Sequence, residues 1–402
     1  MRRLVSTSPK TCHRGRTTRC GHSPVPRDRL ADSALSRIRH VLVRQPDDAG
    51  MSMPTAQHTR SLILAVLGGL AALVLLTVTA LAFGTADVPW RDCLHFLWAG
   101  ASGGSVPAVD AANYRIVVES RLPRVLLAVL VGAGLSVVGV IVQAMVRNAL
   151  ADPYVLGISS GASVGATAVV VYGVLGTLGT YALSLSASLG ALAATAVVYQ
   201  IARTPQGLVP LRLVLVGTAV GYGLSAVTTV LVFLAPNGEA ARSVMFWLLG
   251  SLGASSWDKV PVALAATVIG ILCAGGLARQ LNALAMGDEV SASLGLDAGR
   301  FRVALFILSA AMTGCFVSIC GAVGFVGLVI PHAARLLVGA DHRRVLIVAP
   351  VLGACFLVAA DLVARTAIPP QELPLGAITA AVGVPVFVGL MRRRAMSAGA
   401  VG

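Results

Sequence analysis

Asp361 and Arg365 stand one helical turn apart inside a long apolar run. Ionisable groups at such depth cost ~2.5–3.5 kcal/mol each and usually serve a purpose. At i,i+4 the two share one helix face and neutralise each other, which reads as a structural ion pair near a helix end. A proton relay would want a second carboxylate near the midplane, and none is in view. A phosphate-binding P-loop needs a lysine beside Ser or Thr after a glycine-rich turn. The two lysines, Lys10 and Lys259, both lack that context, so the chain binds no ATP by this device. No His-Glu-x-x-His and no Gly-x-Ser-x-Gly occurs, and His332 and His342 are the only histidines beyond residue 95. The seven cysteines (Cys12, Cys20, Cys93, Cys273, Cys315, Cys320, Cys355) include no Cys-x-x-Cys pair. They read as small apolar residues and scattered thiols rather than metal or disulfide sites. Cys12, His13, Cys20 and His22 would be the one conceivable zinc set, but nothing around them reads as foldable.

The most informative polar interval is Gln280–Arg302, with LAMGDEVSASLGL, Leu284–Leu296, at its centre. Gly287-Asp288 predicts a helix start with Asp288 as cap, and Gly295 predicts the stop. Val290 and Leu294 are four apart and share an apolar face. A short amphipathic helix of this kind lies on lipid or fills a groove in a partner. It carries no Lys or Arg between Leu281 and Ala298, so an anionic lipid surface is the poorer match.

The elements that position these residues are membrane helices. The chain has 402 residues, 56% hydrophobic and 12% charged, where a soluble domain carries about 25% charge. Runs such as Ser61–Ala86 and Val125–Val146 reach the ~20 apolar residues that cross a bilayer. The fold class is therefore all-α, a polytopic membrane protein with about ten transmembrane helices. They are predicted near 61–84, 122–146, 154–174, 180–202, 211–234, 257–278, 301–320, 322–338, 344–366 and 375–391, the eighth short and irregular. An amphipathic stretch at 238–253 belongs at the outer surface. From residue 60 onward, thirteen Arg fall on one side and seven Lys or Arg on the other. The positive-inside rule then sets both the amino and carboxyl termini in the cytoplasm. Gly157, Gly161 and Gly165 recur every four residues and predict a close helix approach, as do Gly321, Gly324 and Gly327. Asp152-Pro153 predicts an N-cap followed by proline at the first helical position.

Residues 1–58 read as a disordered basic cytoplasmic tail, 59–395 as the transmembrane domain and 396–402 as a short tail. Twelve Lys or Arg against four Asp or Glu in the first sixty residues supply +8 of the net +14. No aromatic or folded module accompanies them, so nucleic acid is not an expected partner. An organellar transit peptide, or a true start at Met51 or Met53, are the alternatives for this segment.

Taken in order, RLPR (Arg121–Arg124), GAGLSVVGVIVQ (Gly132–Gln143), NALADPYVLGISSGA (Asn148–Ala162), the Leu284–Leu296 segment, GAVGFVGLVIPHAARLLVGADHR (Gly321–Arg343), ADLVART (Ala360–Thr366) and ELPLGAITAAVGVPVF (Glu372–Phe387) resemble the FecCD-type permeases of ABC importers. The resemblance spans about residues 60–394; the basic tail has no counterpart in it. It implies a permease of the bacterial cytoplasmic membrane that is not itself an enzyme. The implied partners are a second permease subunit (homo- or heterodimer), two cytoplasmic ATPases that carry the ATP and Mg, an extracytoplasmic binding protein and membrane lipid. No cofactor is implied on this chain. An iron–siderophore-type chelate is the expected cargo, with haem or cobalamin as alternatives. Gly287, Asp288, Glu289, Ala292, Leu294 and Gly295 are implied to contact the ATPase. Arg121, Arg124 and Arg365 are implied to receive acidic residues of the binding protein, although snorkelling at helix ends explains such arginines equally simply. Thr218, Gly221, Ser225, Thr228 and Thr229 are implied to line the path; ordinary helix packing would use the same residue types. An ion-coupled secondary transporter and an integral membrane enzyme are the rival classes. The first lacks midplane carboxylates, and the second lacks clustered His, Asp or Glu at one interface.

Overall fold

Helix α1, Thr55–Ala82, opens the part of the chain that the computed structural model describes, residues 55–84, 88–104, 106–204 and 207–399. The basic tail up to residue 54 lies outside the described residues. After α1 come α2 (Trp90–Ser102), α3 (Leu122–Val146), α4 (Ile158–Tyr172), α5 (Ala182–Ala202), α6 (Pro210–Phe233) and α7 (Gly238–Leu248). Then follow α8 (Val260–Gly276), α9 (Ala278–Met286), α10 (Asp288–Ser293), α11 (Ala298–Cys320), α12 (Val326–Val338), α13 (His342–Thr366) and α14 (Leu375–Gly399). Two residue pairs, Arg203–Thr204 and Gly207–Leu208, form a small antiparallel hairpin between α5 and α6. A helical lead-in from Ala108 runs through a wide turn at Ile116–Arg121 into α3.

Among the described residues, seven segments are long and apolar enough to cross a membrane: α1, α3 with its lead-in, α5, α6, α8, α11 and α13. Shorter apolar helices are α4, α12 and Leu375–Gly389 of α14. These ten fall where the apolar runs predict them. The last is longer than the expected 375–391, because it continues through Arg392–Arg394 to Gly399.

The core is built around α3. Its most apolar window is 83% buried, against 6% for α1. Helices α8, α11, α12 and α13 pack on it. Helix α1 leaves Leu64, Leu67, Val74 and Leu75 more than 60% exposed. In a helix with all its backbone bonds satisfied internally, that surface is what hydrocarbon covers.

Small residues set the closest approach. A Cβ on Gly161 would lie 2.4 Å from the Gly190 carbonyl oxygen, and one on Gly165 would lie 2.1 Å from that of Ser186. Helices α4 and α5 therefore meet backbone to backbone. Gly157 does not share that face as the spacing suggested. It precedes α4 at φ +76° and turns toward Gly217 and Gly221 of α6. Asp152 caps the turn before it, accepting from Tyr154 N at 2.8 Å with Pro153 at the start.

Helix α12 is short and begins after the extended stretch 321–325. It contains Pro331, whose missing N–H leaves the Gly327 carbonyl unpaired. Gln143 of α3 restores the bond: its Nε2 donates to Gly327 O and Leu328 O, both at 3.2 Å. Its Oε1 accepts from Arg335 on the next turn of α12.

Candidate coupling and translocation surfaces

On the inner side, α9 and α10 meet at Gly287. This residue, rather than Asp288, is the cap of α10. Its φ of 122° is open to glycine and strained for other residues. Its carbonyl accepts from Ser291 Oγ at 2.8 Å. Asp288 becomes the first helical residue, and its carboxylate is spent elsewhere. Arg302 of α11 donates to it through Nη1 at 3.2 Å and again through Nη2. Arg147, which ends α3, brings Nη1 within 3.5 Å. Arg302 is buried and also donates Nε to Met145 O at 3.3 Å and Nη1 to Leu208 O at 3.5 Å. One guanidinium thus ties α10 to the inner end of α3 and to the hairpin. These hydrogen bonds hold the Asp288 carboxyl below the usual carboxylate range.

The other face of this segment is bare. Met286 is 70% exposed and Leu294 is 68% exposed. Glu289, Ala292 and Gly295 are exposed with them, and Gly295 at φ +77° ends the turn as predicted. Val290 is half-buried, and Leu294, just past the helix end, donates its N–H to Val290 O at 3.2 Å and is exposed. Arg147 and Arg302 were missed as partners of Asp288. The available signal was an arginine at the start of an otherwise apolar α11. Behind them, Asn282 of α9 donates to Asp341 Oδ1 at 2.8 Å and accepts from His342 Nδ1 at 2.7 Å, fastening α9 to the start of α13.

On α6, Thr218, Gly221 and Ser225 come together in a cavity of about 300 Å3 with Tyr154, Ser160 and Tyr222. Ser160 and Ser225 hydroxyls are 3.2 Å apart. Thr228 and Thr229 do not line this cavity. Each returns its hydroxyl to its own helix, on Leu224 O at 3.1 Å and Ser225 O at 3.0 Å; Thr228 is buried and Thr229 exposed.

At the outer ends stand Arg121, Arg124 and Arg365, the residues expected to receive the binding protein. They are 5%, 9% and 5% exposed. A cation taken out of water must be paired, and this chain supplies the partners. Arg121 Nη1 donates to Leu81 O at 2.6 Å and Ala82 O at 2.9 Å, and Arg365 Nη2 donates to Ala80 O at 2.6 Å. Those are the last carbonyls of α1, whose final turn has no basic residue of its own. Arginine there satisfies orphan acceptors and complements the helix dipole. Arg124 holds Asp361 at 2.9 and 3.1 Å and Glu372 at 2.7 and 3.0 Å. Arg365 lies 3.5 Å from Asp361, so the i,i+4 pair is present but Arg124 is the closer partner. The same fork holds the Glu372 carboxyl below its usual range. Glu372 also lines an outer cavity of about 670 Å3, together with Phe246, Trp247 and Lys259.

A family model, the FecCD transport family, matches residues 72–393. The cobalamin import system permease protein BtuC of Halobacterium salinarum is 40% identical over 312 residues, 77% of this chain and 81% of that protein. The Fe(3+) dicitrate transport system permease protein FecD of Escherichia coli is 36% identical over 314 residues, 78% of this chain and 93% of that one. A solved inward-facing structure assigned to the metal-chelate type of ABC transporter superposes with a TM-score of 0.71 at 30% identity, covering 82% of this chain and 98% of that one.

Proposed function

Because the chain belongs to the FecCD transport family, we propose that it is the membrane-spanning permease subunit of an ATP-driven importer of the bacterial cytoplasmic membrane, carrying an iron–siderophore-type chelate. The observation that carries this reading is α10. A six-residue helix is anchored by Arg302 and Arg147 to the membrane body, while Met286 and Leu294 beside it stand exposed to the cytoplasm. A helix this short cannot sustain itself. Its anchoring on one side and apolar exposure on the other suit insertion into a groove of a partner ATPase. Gly287, Asp288, Glu289, Ala292, Leu294 and Gly295 make that contact.

The cargo passes between this chain and a second permease subunit, along α6. The wall there is small and weakly polar at Thr218, Gly221 and Ser225, which suits release rather than tight binding. Delivery is by an extracytoplasmic binding protein. With Arg121, Arg124 and Arg365 committed within the chain, docking through them would require Glu372, whose side chain is 39% exposed, to yield Arg124 to a partner carboxylate.

The test is uptake of labelled chelates by cells carrying the whole importer, with and without this permease. Ferric siderophore uptake that depends on both the permease and its ATPase supports the reading. Uptake of haem or cobalamin instead would reassign the cargo. Uptake that survives loss of the ATPase and collapses with the proton gradient would replace it with an ion-coupled carrier.

A further inference from the structure

Helix α2 has no part in the function just described, yet its faces divide into distinct sectors. Its thirteen residues span ~20 Å, too short for a ~30 Å hydrocarbon core. One sector, Cys93, Phe96 and Ala99, is buried against the end of α1 and the lead-in to α3. Cys93 Sγ lies 3.7 Å from Leu81 O. A second sector carries the polar residues Arg91, Asp92 and His95, all exposed. The third sector is Trp90, Leu94 and Trp98, spaced i, i+4, i+8 on a single stripe. These three are 53%, 46% and 74% exposed. A helix on a water-facing surface needs two sectors; three sectors need a third environment.

We propose that the Trp90–Leu94–Trp98 stripe seats α2 in the outer leaflet of the bilayer, at the level where acyl chains meet headgroups. Continuity argues for lipid as the occupant. Helix α1 is a membrane span with an exposed apolar flank, and it ends at Ala82, eight residues before α2 begins. Phe83, at that end, is 55% exposed and prolongs the apolar surface toward α2. Helix α6, which faces the proposed second subunit, packs on α3, α4, α5 and α7, whereas α2 packs on α1 and the lead-in. The stripe therefore adjoins a lipid-covered helix rather than the proposed subunit interface. The residue types agree. Tryptophan concentrates at membrane interfaces because its ring is apolar and its N–H is polar. Arg91 lies over the Trp90 ring, 5.4 Å from its centroid, so its charge stays at the water side of the stripe. Such a helix fixes the depth of α1 and carries the wide turn at Ile116–Arg121 with it. The inference rests on the chain spanning a membrane and is independent of the cargo.

The experiment uses the full-length permease in lipid nanodiscs, with Trp247→Phe and Trp257→Phe so that emission reports Trp90 and Trp98 alone. Lipids brominated near the glycerol end of the acyl chain should remove the greater part of the emission, lipids brominated near the methyl end less, and aqueous iodide little. Strong iodide quenching with no bromolipid effect would overturn the proposal in favour of a water-facing surface. Protection from both quenchers would also overturn it, because a second protein chain would then be covering the stripe. Should the double variant fail to fold, a nitroxide on Leu94→Cys gives the same decision: oxygen accessibility above that of a water-soluble nickel chelate supports lipid, and the reverse order sinks it.

Discussion

Replacing Asp288 by Asn tests how α10 is held. The substitution keeps the side chain's size and removes its charge. Arg302 then stays buried, at 3% side-chain exposure, with only the Met145 and Leu208 carbonyls and a neutral amide around it. Hydrogen bonds to charged groups contribute about 1.5–3 kcal/mol each. The Asp288 side chain is 49% exposed, so water screens part of the attraction and the lower end, about 1.5 kcal/mol, is the appropriate figure. That corresponds to roughly tenfold in the ratio of anchored to detached α10. In the assembled importer, ATP hydrolysis should continue while chelate taken up per ATP falls several-fold. Unfolding of the purified permease in detergent supplies the energetic control through a double-mutant cycle with Arg302→Gln. The two changes should be less than additive by about 1–1.5 kcal/mol. Additivity within ~0.5 kcal/mol, with uptake per ATP unchanged, would refute the anchoring argument. The pH dependence has a definite sign. The Asp288 carboxyl is depressed in the folded state, so its contribution is fully present above the unfolded value near 3.9 and is lost as pH falls through the folded value. Between about pH 5 and 8 this anchor should show no titration.

Leu294→Asp places a charge on the exposed apolar tip beside α10 and should abolish ATPase association while membrane insertion stays normal, as read by co-purification; a wild-type complex would remove Leu294 from the contact. Gln143→Leu strips the acceptor from Arg335 and the donor from Gly327 O and Leu328 O, and should destabilise the permease by about 2–3 kcal/mol in detergent unfolding. Gly161→Leu drives a side chain into the Gly190 carbonyl and should cost about 1–3 kcal/mol or more, visible as a lowered unfolding midpoint. Arg121→Glu with Arg124→Glu sets carboxylates against the carbonyl end of α1 and beside Asp361 and Glu372, so the midpoint should drop sharply. An unchanged midpoint with slower, less salt-dependent association of the binding protein would return these residues to docking.

Long apolar runs made the helices legible, because a membrane helix announces itself by length and apolarity alone. The irregularity of α12 was legible too, from its shortness and its position close after α11, and so was the Asp152 cap. What stayed hidden is the pairing between helices. Asp361 and Arg365 share a face, yet Arg124, 237 residues away in the chain, is the nearer partner. Gln143 read as one residue of a motif; its task is visible only when Pro331 leaves a carbonyl bare against it. The three outer arginines illustrate the limit most clearly. A helix-end arginine can snorkel to water, dock a partner or cap another helix, and composition is identical in all three cases. For Arg121 and Arg365 the partners are the carbonyls of Ala80, Leu81 and Ala82, and for Arg124 they are Asp361 and Glu372, all of which become neighbours only on folding.

The same residue type does opposite work at the two ends. Outside, Arg121 and Arg365 close the end of α1. Inside, Arg302 joins the rigid core to a helix too short to hold its own position. Helix α11 begins beside that joint and runs ~35 Å to Cys320, whose carbonyl accepts from Ser251 N at 2.9 Å in the segment after α7. A push on α10 therefore bears on α3 and α11 together through one guanidinium, without an intervening flexible turn. Arg302→Lys separates charge from geometry: it keeps the charge and loses the fork that spans Asp288, Met145 and Leu208. If rigid transmission through that fork is the mechanism, the lysine variant should uncouple nearly as much as Asp288→Asn despite retaining its positive charge. Full uptake per ATP with lysine would show that charge attraction alone suffices.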